Sequence, residues 1–138
     1  MTRTSWRKRW SRLAAGTLCL AVLWACKAPF IPVPPPGDTT FMPEMVPDGN
    51  GGEKTVWVTQ GGPNDKAGSA TFFVYNTIGG SGVITKANPD GSYVAPPMDG
   101  TRGDRIHVFY EDVKGVFSAI SCQLLIEGPN AAPRCPSP

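Results

Sequence analysis

From Lys54 to Ile126 the chain is a succession of short runs rich in Val, Ile, Thr, Phe and Tyr, each cut off by Gly, Pro, Asn or Asp. Nothing else in the sequence constrains the fold as strongly. Runs of this length suit strands rather than helices, and no segment carries the 3.6-residue apolar period of an amphipathic helix. Strands are expected near 55–59, 70–77, 82–86, 92–95, 105–111 and 116–126. Asn88-Pro89-Asp90-Gly91 reads as a turn, because proline presets φ at its second position and glycine accepts a positive φ near its end. The fold class that follows is all-β: a small antiparallel β-sandwich of six to seven strands.

Alternation assigns the faces. In 105–111, Ile106, Val108 and Tyr110 share one side and should face the core, while Arg105, His107 and Glu111 share the other. In the last run the same logic expects Val116, Ile120, Cys122, Leu124 and Ile126 on the buried side. Trp57, Phe73, Phe109 and Phe117 fall on the faces opposite the likeliest inward residues of their strands. They form either a second buried layer or an adhesive surface for a partner, with core packing the plainer reading.

The first 25 residues are of a different kind. Arg3, Arg7, Lys8, Arg9 and Arg12 precede an apolar run of thirteen residues, Leu13 to Ala25, and no acidic residue lies before it. A transmembrane helix needs roughly 20 apolar residues, whereas a secretory signal peptide carries about 7 to 15 behind a basic opening. Residues 1–25 are therefore expected to be an export signal, helical in its apolar part. Setting its five basic residues aside leaves eight against eleven acids, a formal charge of −3 from Cys26 onward. The remaining Lys and Arg are scattered, so no nucleic-acid partner is expected.

The run ends in Leu23-Trp24-Ala25-Cys26, which resembles the lipobox of bacterial lipoproteins: an aliphatic residue three before the cysteine, a small residue before it, then the cysteine. The resemblance implies a thioether-linked diacylglycerol at Cys26, cleavage before it, and a further palmitate-type acyl chain on the freed amine. Two or more chains hold a protein stably to a membrane without a span. Lys27 stands where some lipoproteins carry an inner-membrane aspartate, so the outer membrane of a Gram-negative cell is the expected address, on its periplasmic or surface face.

Residues 26–53 carry Pro29, Pro32, Pro34, Pro35, Pro36, Pro43 and Pro47, and close on Asp48-Gly49-Asn50-Gly51-Gly52. This composition reads as a Pro/Gly-rich disordered linker, or an extended polyproline II spacer reaching roughly 80 Å at about 3.1 Å per residue. The domain would then occupy 54–128, followed by a Pro-rich tail at 129–138.

Residues 78–118 are similar to the bacterial Ig-like domains of surface and secreted proteins, and to carboxypeptidase-regulatory-like sandwiches. The matching pieces are Gly82-Val83-Ile84-Thr85, Asn88-Pro89-Asp90-Gly91-Ser92-Tyr93, Gly103-Asp104-Arg105-Ile106-His107-Val108 and Glu111-Asp112-Val113-Lys114-Gly115-Val116-Phe117-Ser118. The resemblance implies an Ig-like sandwich with a structural or adhesive role, and it carries over no catalytic residues.

Of the four cysteines, Cys19 leaves with the signal, Cys26 takes the lipid, and Cys122 and Cys135 remain as an even pair in an exported protein. A disulfide between them is the expected outcome. A free core thiol at Cys122 and an intermolecular bridge through Cys135 are the competing readings.

Catalytic chemistry is sparse. His107 is the only histidine, which speaks against a zinc site, and no G-x-S-x-G nucleophile elbow occurs. The acidic turns complete no calcium loop. Arg102-Gly103-Asp104 spells an integrin-type tripeptide, though Gly103-Asp104 is already explained as a strand opening. No cofactor, metal or catalytic residue is expected. The leading expectation is a non-enzymatic envelope lipoprotein binding a protein or polysaccharide; a scaffold lipoprotein of a secretion or surface-fibre assembly comes second. A small hydrolase comes third, and would need a concave polar pocket around His107.

Overall fold

In the computed structural model, residues 33–128 and 130–136 are described. The expected signal segment, Cys26 and residues 27–32 lie outside them. The described chain is all-β with no helix: β1 (Thr39–Pro47), β2 (Glu53–Gly61), β3 (Thr71–Asn76), β4 (Gly82–Lys86), β5 (Tyr93–Val94), β6 (Met98–Asp99), β7 (Arg105–Glu111) and β8 (Ser121–Leu124). They form two antiparallel sheets. In one, β2 lies between β1 and the short β5 and β6; the other runs β4-β3-β7-β8.

One core joins the sheets. Phe41 and Trp57 of the first pack in the same cluster as Phe72, Val74, Ile106, Val108 and Tyr110 of the second, with Tyr93, Met98 and Leu125 completing it. The Tyr93 ring stacks on Phe72 at 3.9 Å between centroids, a direct contact between β5 and β3 on opposite sheets. Ile106, Val108 and Tyr110 are fully buried, as their alternation implied.

The linker expectation fails between 39 and 47. This segment is β1, paired with β2 over nine residues from Thr39 opposite Gly61 to Pro47 opposite Glu53. Thr39 and Phe41 are completely buried while Met42 is exposed, the period-2 pattern of a half-buried strand. Two prolines are tolerated because β1 sits at the sheet's edge, where an outward-facing nitrogen has no ladder bond to lose. The Gly-rich stretch behind it is the hairpin turn: Asp48 N–H donates to Gly52 O at 3.0 Å, and Asp48 Oδ1 accepts from Asn50 and Gly52 N–H. Gly49 and Gly51 supply the positive φ this turn requires (81° and 87°). Upstream, Val33 bridges Ser118 and Pro36 is buried, so the chain already lies along the domain there.

The last expected strand is also corrected. Only Ser121–Leu124 of 116–126 is strand, and its faces are the reverse of those expected. Ser121, Gln123 and Leu125 point inward, and Ile120 is exposed. The register is the cause: Gln123 lies opposite Ile106 and Ser121 opposite Val108, and residues directly opposite each other share a face. Gln123 offsets part of its burial by donating Nε2–H to Ser121 Oγ at 3.2 Å. Cys122 consequently faces outward and forms a disulfide with Cys135, Cα to Cα 5.4 Å. The staple continues as pairing, since Cys135 N–H donates to Cys122 O and Leu124 N–H to Pro133 O. Ala132 N–H then donates to Thr39 O of β1, so the tail is tied to both sheets.

Candidate functional site

The β4-β3-β7-β8 sheet turns its second face away from the core, and the middle of that face is apolar, with Lys86, Glu111 and Arg105 towards its ends. Phe72, Val74 and Asn76 of β3 point inward, which leaves Thr71, Phe73 and Tyr75 outward. Phe73 lies between Ile84 of β4 and Phe109 of β7; Tyr75 lies between Gly82 and His107. The Phe73 and Phe109 rings are parallel to within 8° at 5.0 Å, about the spacing of the strands that carry them.

A turn brings in the third ring. After β7, Asp112 Oδ1 accepts from the N–H groups of Lys114 and Val116, and Asp112 N–H donates to Val116 O, reversing the chain. Phe117 therefore returns beside Glu111, with its ring 6.0 Å from Phe73 and 6.2 Å from Phe109. Phe117 is 54 % exposed and Ile84 62 %, while Phe73 and Phe109 are half-buried, so the row of one aliphatic and three aromatic side chains is at least partly open to solvent along its length. Aromatic side chains carry the largest apolar surface of any residue and dominate interfaces where they are exposed together. Beside the row, Phe73, Tyr75, Gly82, Ile84, His107 and Phe109 line a groove of about 440 Å³. The Tyr75 ring lies against Gly82, where a Cβ would come within 3.0 Å of Tyr75 Cδ2.

Trp57, grouped with these aromatics on sequence grounds, follows the plainer of the two readings, core packing. It is buried in the core, and its indole N–H donates to Gly100 O at 2.9 Å. Ile84 and Tyr75 join the face although their sequence context did not single them out. The available signal was the alternation of 71–75 combined with the pairing of β3 to β4, and the pairing is not readable from the sequence.

The remaining candidate residues are structurally engaged. His107 is half-buried, with Tyr75 on one neighbouring strand and Cys122 on the other. Cys122 is held in the disulfide, so no thiolate accompanies the imidazole. Asp104 accepts from Asn76 Nδ2 at 2.7 Å and from Thr101 N–H at 2.9 Å, while Gly103 N–H donates to Leu125 O. The carboxylate of the Arg102-Gly103-Asp104 tripeptide thus fastens the loop to buried Asn76. Asp90 accepts from the Ser92 hydroxyl and N–H, and these bonds hold its carboxyl below the usual carboxylate range. Among the described residues, no group of three or more His, Cys, Asp or Glu side chains could hold a metal ion. Cys26 lies outside the described residues. No family model, curated protein or solved structure matches the chain.

Proposed function

We propose that the chain is a bacterial envelope lipoprotein, anchored through acylated Cys26 in the outer membrane, whose Ig-like sandwich is a non-enzymatic module for binding or structural contact. The observation that carries the anchor is the order of the N-terminus: a basic opening, a thirteen-residue apolar run and Leu23-Trp24-Ala25-Cys26. The binding role is supported by the cluster of exposed Phe117 with half-buried Phe73 and Phe109, a surface suited to contact rather than to bond making. The groove beside His107 is walled by Phe73, Ile84 and Phe109, a lining that favours apolar contact over acid–base chemistry. The partner is the membrane together with an envelope protein or polysaccharide.

Cys26→Ser tests the reading in cells. The substitution should remove acylation and release the protein from the membrane fraction, with the sandwich still folded. A wild-type protein that is soluble and unacylated contradicts it. The alternative, a scaffold lipoprotein within a secretion or surface-fibre assembly, predicts co-purification with several envelope proteins through the aromatic face.

A further inference from the structure

The distance from the anchor to the domain is short. Seven residue steps separate Cys26 from Val33, and Val33 is already bridged to Ser118. A fully extended chain advances at most about 3.3–3.6 Å per residue, so the lipid and the point where the chain joins the domain are no more than about 25 Å apart. A domain of about 100 residues has a radius of gyration near 13 Å and measures upwards of about 30 Å across. Such a tether cannot reach round to let the pole opposite Val33 rest on the bilayer, whereas the surface around Val33 lies within its reach.

That surface carries exposed apolar side chains. Ala119 N–H donates to Val33 O at 3.2 Å, which places Val33 beside the segment containing Val113, Phe117 and Ile120. These three are 73 %, 54 % and 59 % exposed. Phe117 in turn touches the Phe73 and Phe109 pair, so the apolar surface continues from the tether's exit onto the outer sheet face. Its local charges are mixed, with Glu111 and Asp112 against Lys114, so attraction to anionic headgroups contributes little.

We propose that the domain rests on the bilayer that holds its anchor, with Phe117, Ile120 and Val113 seated in the boundary between headgroups and acyl chains and Phe109 and Phe73 behind them. Apolar side chains at such a boundary sit about 5–10 Å below the headgroup surface. The proposal rests on the acylation of Cys26, because the short tether is what selects this face. The contact is driven by apolar area and is insensitive to salt.

The full acylated protein, reconstituted into phosphatidylcholine vesicles carrying bromine on their acyl chains, provides the test. Trp57 is the one tryptophan from Cys26 onward and is buried, so the unsubstituted protein gives the background. In Phe117→Trp the new emission should fall by roughly half or more, as expected for an indole at that boundary depth. In Val94→Trp, on β5 of the other sheet, it should stay unchanged. Should Phe117→Trp not fold, Ile120→Trp carries the same measurement. Acylated protein in which positions 117 and 94 are quenched alike, or not at all, overturns the docking and leaves the anchor standing. A lipid-independent dimer that shields the indole introduced at position 117 also overturns it, by giving the face to a second copy. Intact mass showing no acyl chains on Cys26 refutes the anchor, and the docking falls with it.

Discussion

Phe41→Ala separates a domain that begins at β1 from one that begins at Lys54. Phe41 is completely buried, lies opposite Thr59 of β2, and packs in the cluster that joins the two sheets. Truncating a buried phenylalanine to alanine removes its transfer free energy and leaves a cavity, a cost of about 3–5 kcal/mol. The total stability expected of a single domain is about 5–15 kcal/mol, so the substitution removes a large share of it. In a domain of about 100 residues, each 1 kcal/mol shifts the melting temperature by roughly 4–8 °C. Phe41→Ala should therefore lower it by more than about 12 °C. Met42→Ala, at the exposed neighbouring position, should change stability by no more than about 0.5 kcal/mol. Urea denaturation followed by the fluorescence of Trp57, which lies two residues along β2 from the Phe41 partner, measures both. Equal and small shifts for the two variants would refute the placement of β1 in the core, and a free linker from 26 to 53 would be the better account.

Two further predictions follow from groups inside the domain. Replacing Cys122 and Cys135 together by serine opens a short loop and should cost about 3 kcal/mol in the chain-entropy account, read as a lower urea midpoint; an unchanged midpoint under reducing conditions removes the staple from the stability argument. The Tyr93 hydroxyl is buried, which pushes it up to about 12, partly offset by its hydrogen bond with Thr39 Oγ1 at 3.2 Å. Because the unfolded chain loses this proton near pH 10 and the folded chain holds it, stability should be full below pH 10 and decline towards pH 12. The ceiling on that loss is roughly 3 kcal/mol at 1.36 kcal/mol per pKa unit. Tyr110 is also raised, by burial first and the Asp112 charge second, so Tyr93→Phe should shrink the alkaline decline without abolishing it. An identical decline in the variant would show that Tyr93 does not titrate differently on folding.

How much of this could be read from the sequence differs strand by strand. The bounds of β4 and β7 follow from their runs of β-prone residues, and the inward face of β7 follows from Ile106, Val108 and Tyr110, because there the alternation is unbroken. β1 was hidden by proline. The density from Pro29 to Pro47 argues for a spacer unless one knows that Thr39 and Phe41 meet a core and that Pro43 lies on an edge. β8 is hidden for the opposite reason: its inward residues Ser121 and Gln123 are polar, and only its register with β7 shows them buried. The aromatic face was half legible. Parity set Phe73 and Phe109 apart from the inward residues of their strands, but whether a second layer covers them depends on which sheets pack together. For Trp57 the plainer reading, core packing, holds, since it fills the core from the other sheet, whereas Phe117 is exposed.

The central claim is that Cys26 becomes the first, lipid-bearing residue of a domain held close to its membrane. Intact mass spectrometry of the protein extracted from bacterial membranes tests it most directly. The account predicts a chain beginning at Cys26, heavier than its amino-acid sequence by a diacylglycerol and one further acyl chain. A mass corresponding to the unprocessed 138-residue chain, or to a product cleaved elsewhere and carrying no lipid, would contradict it.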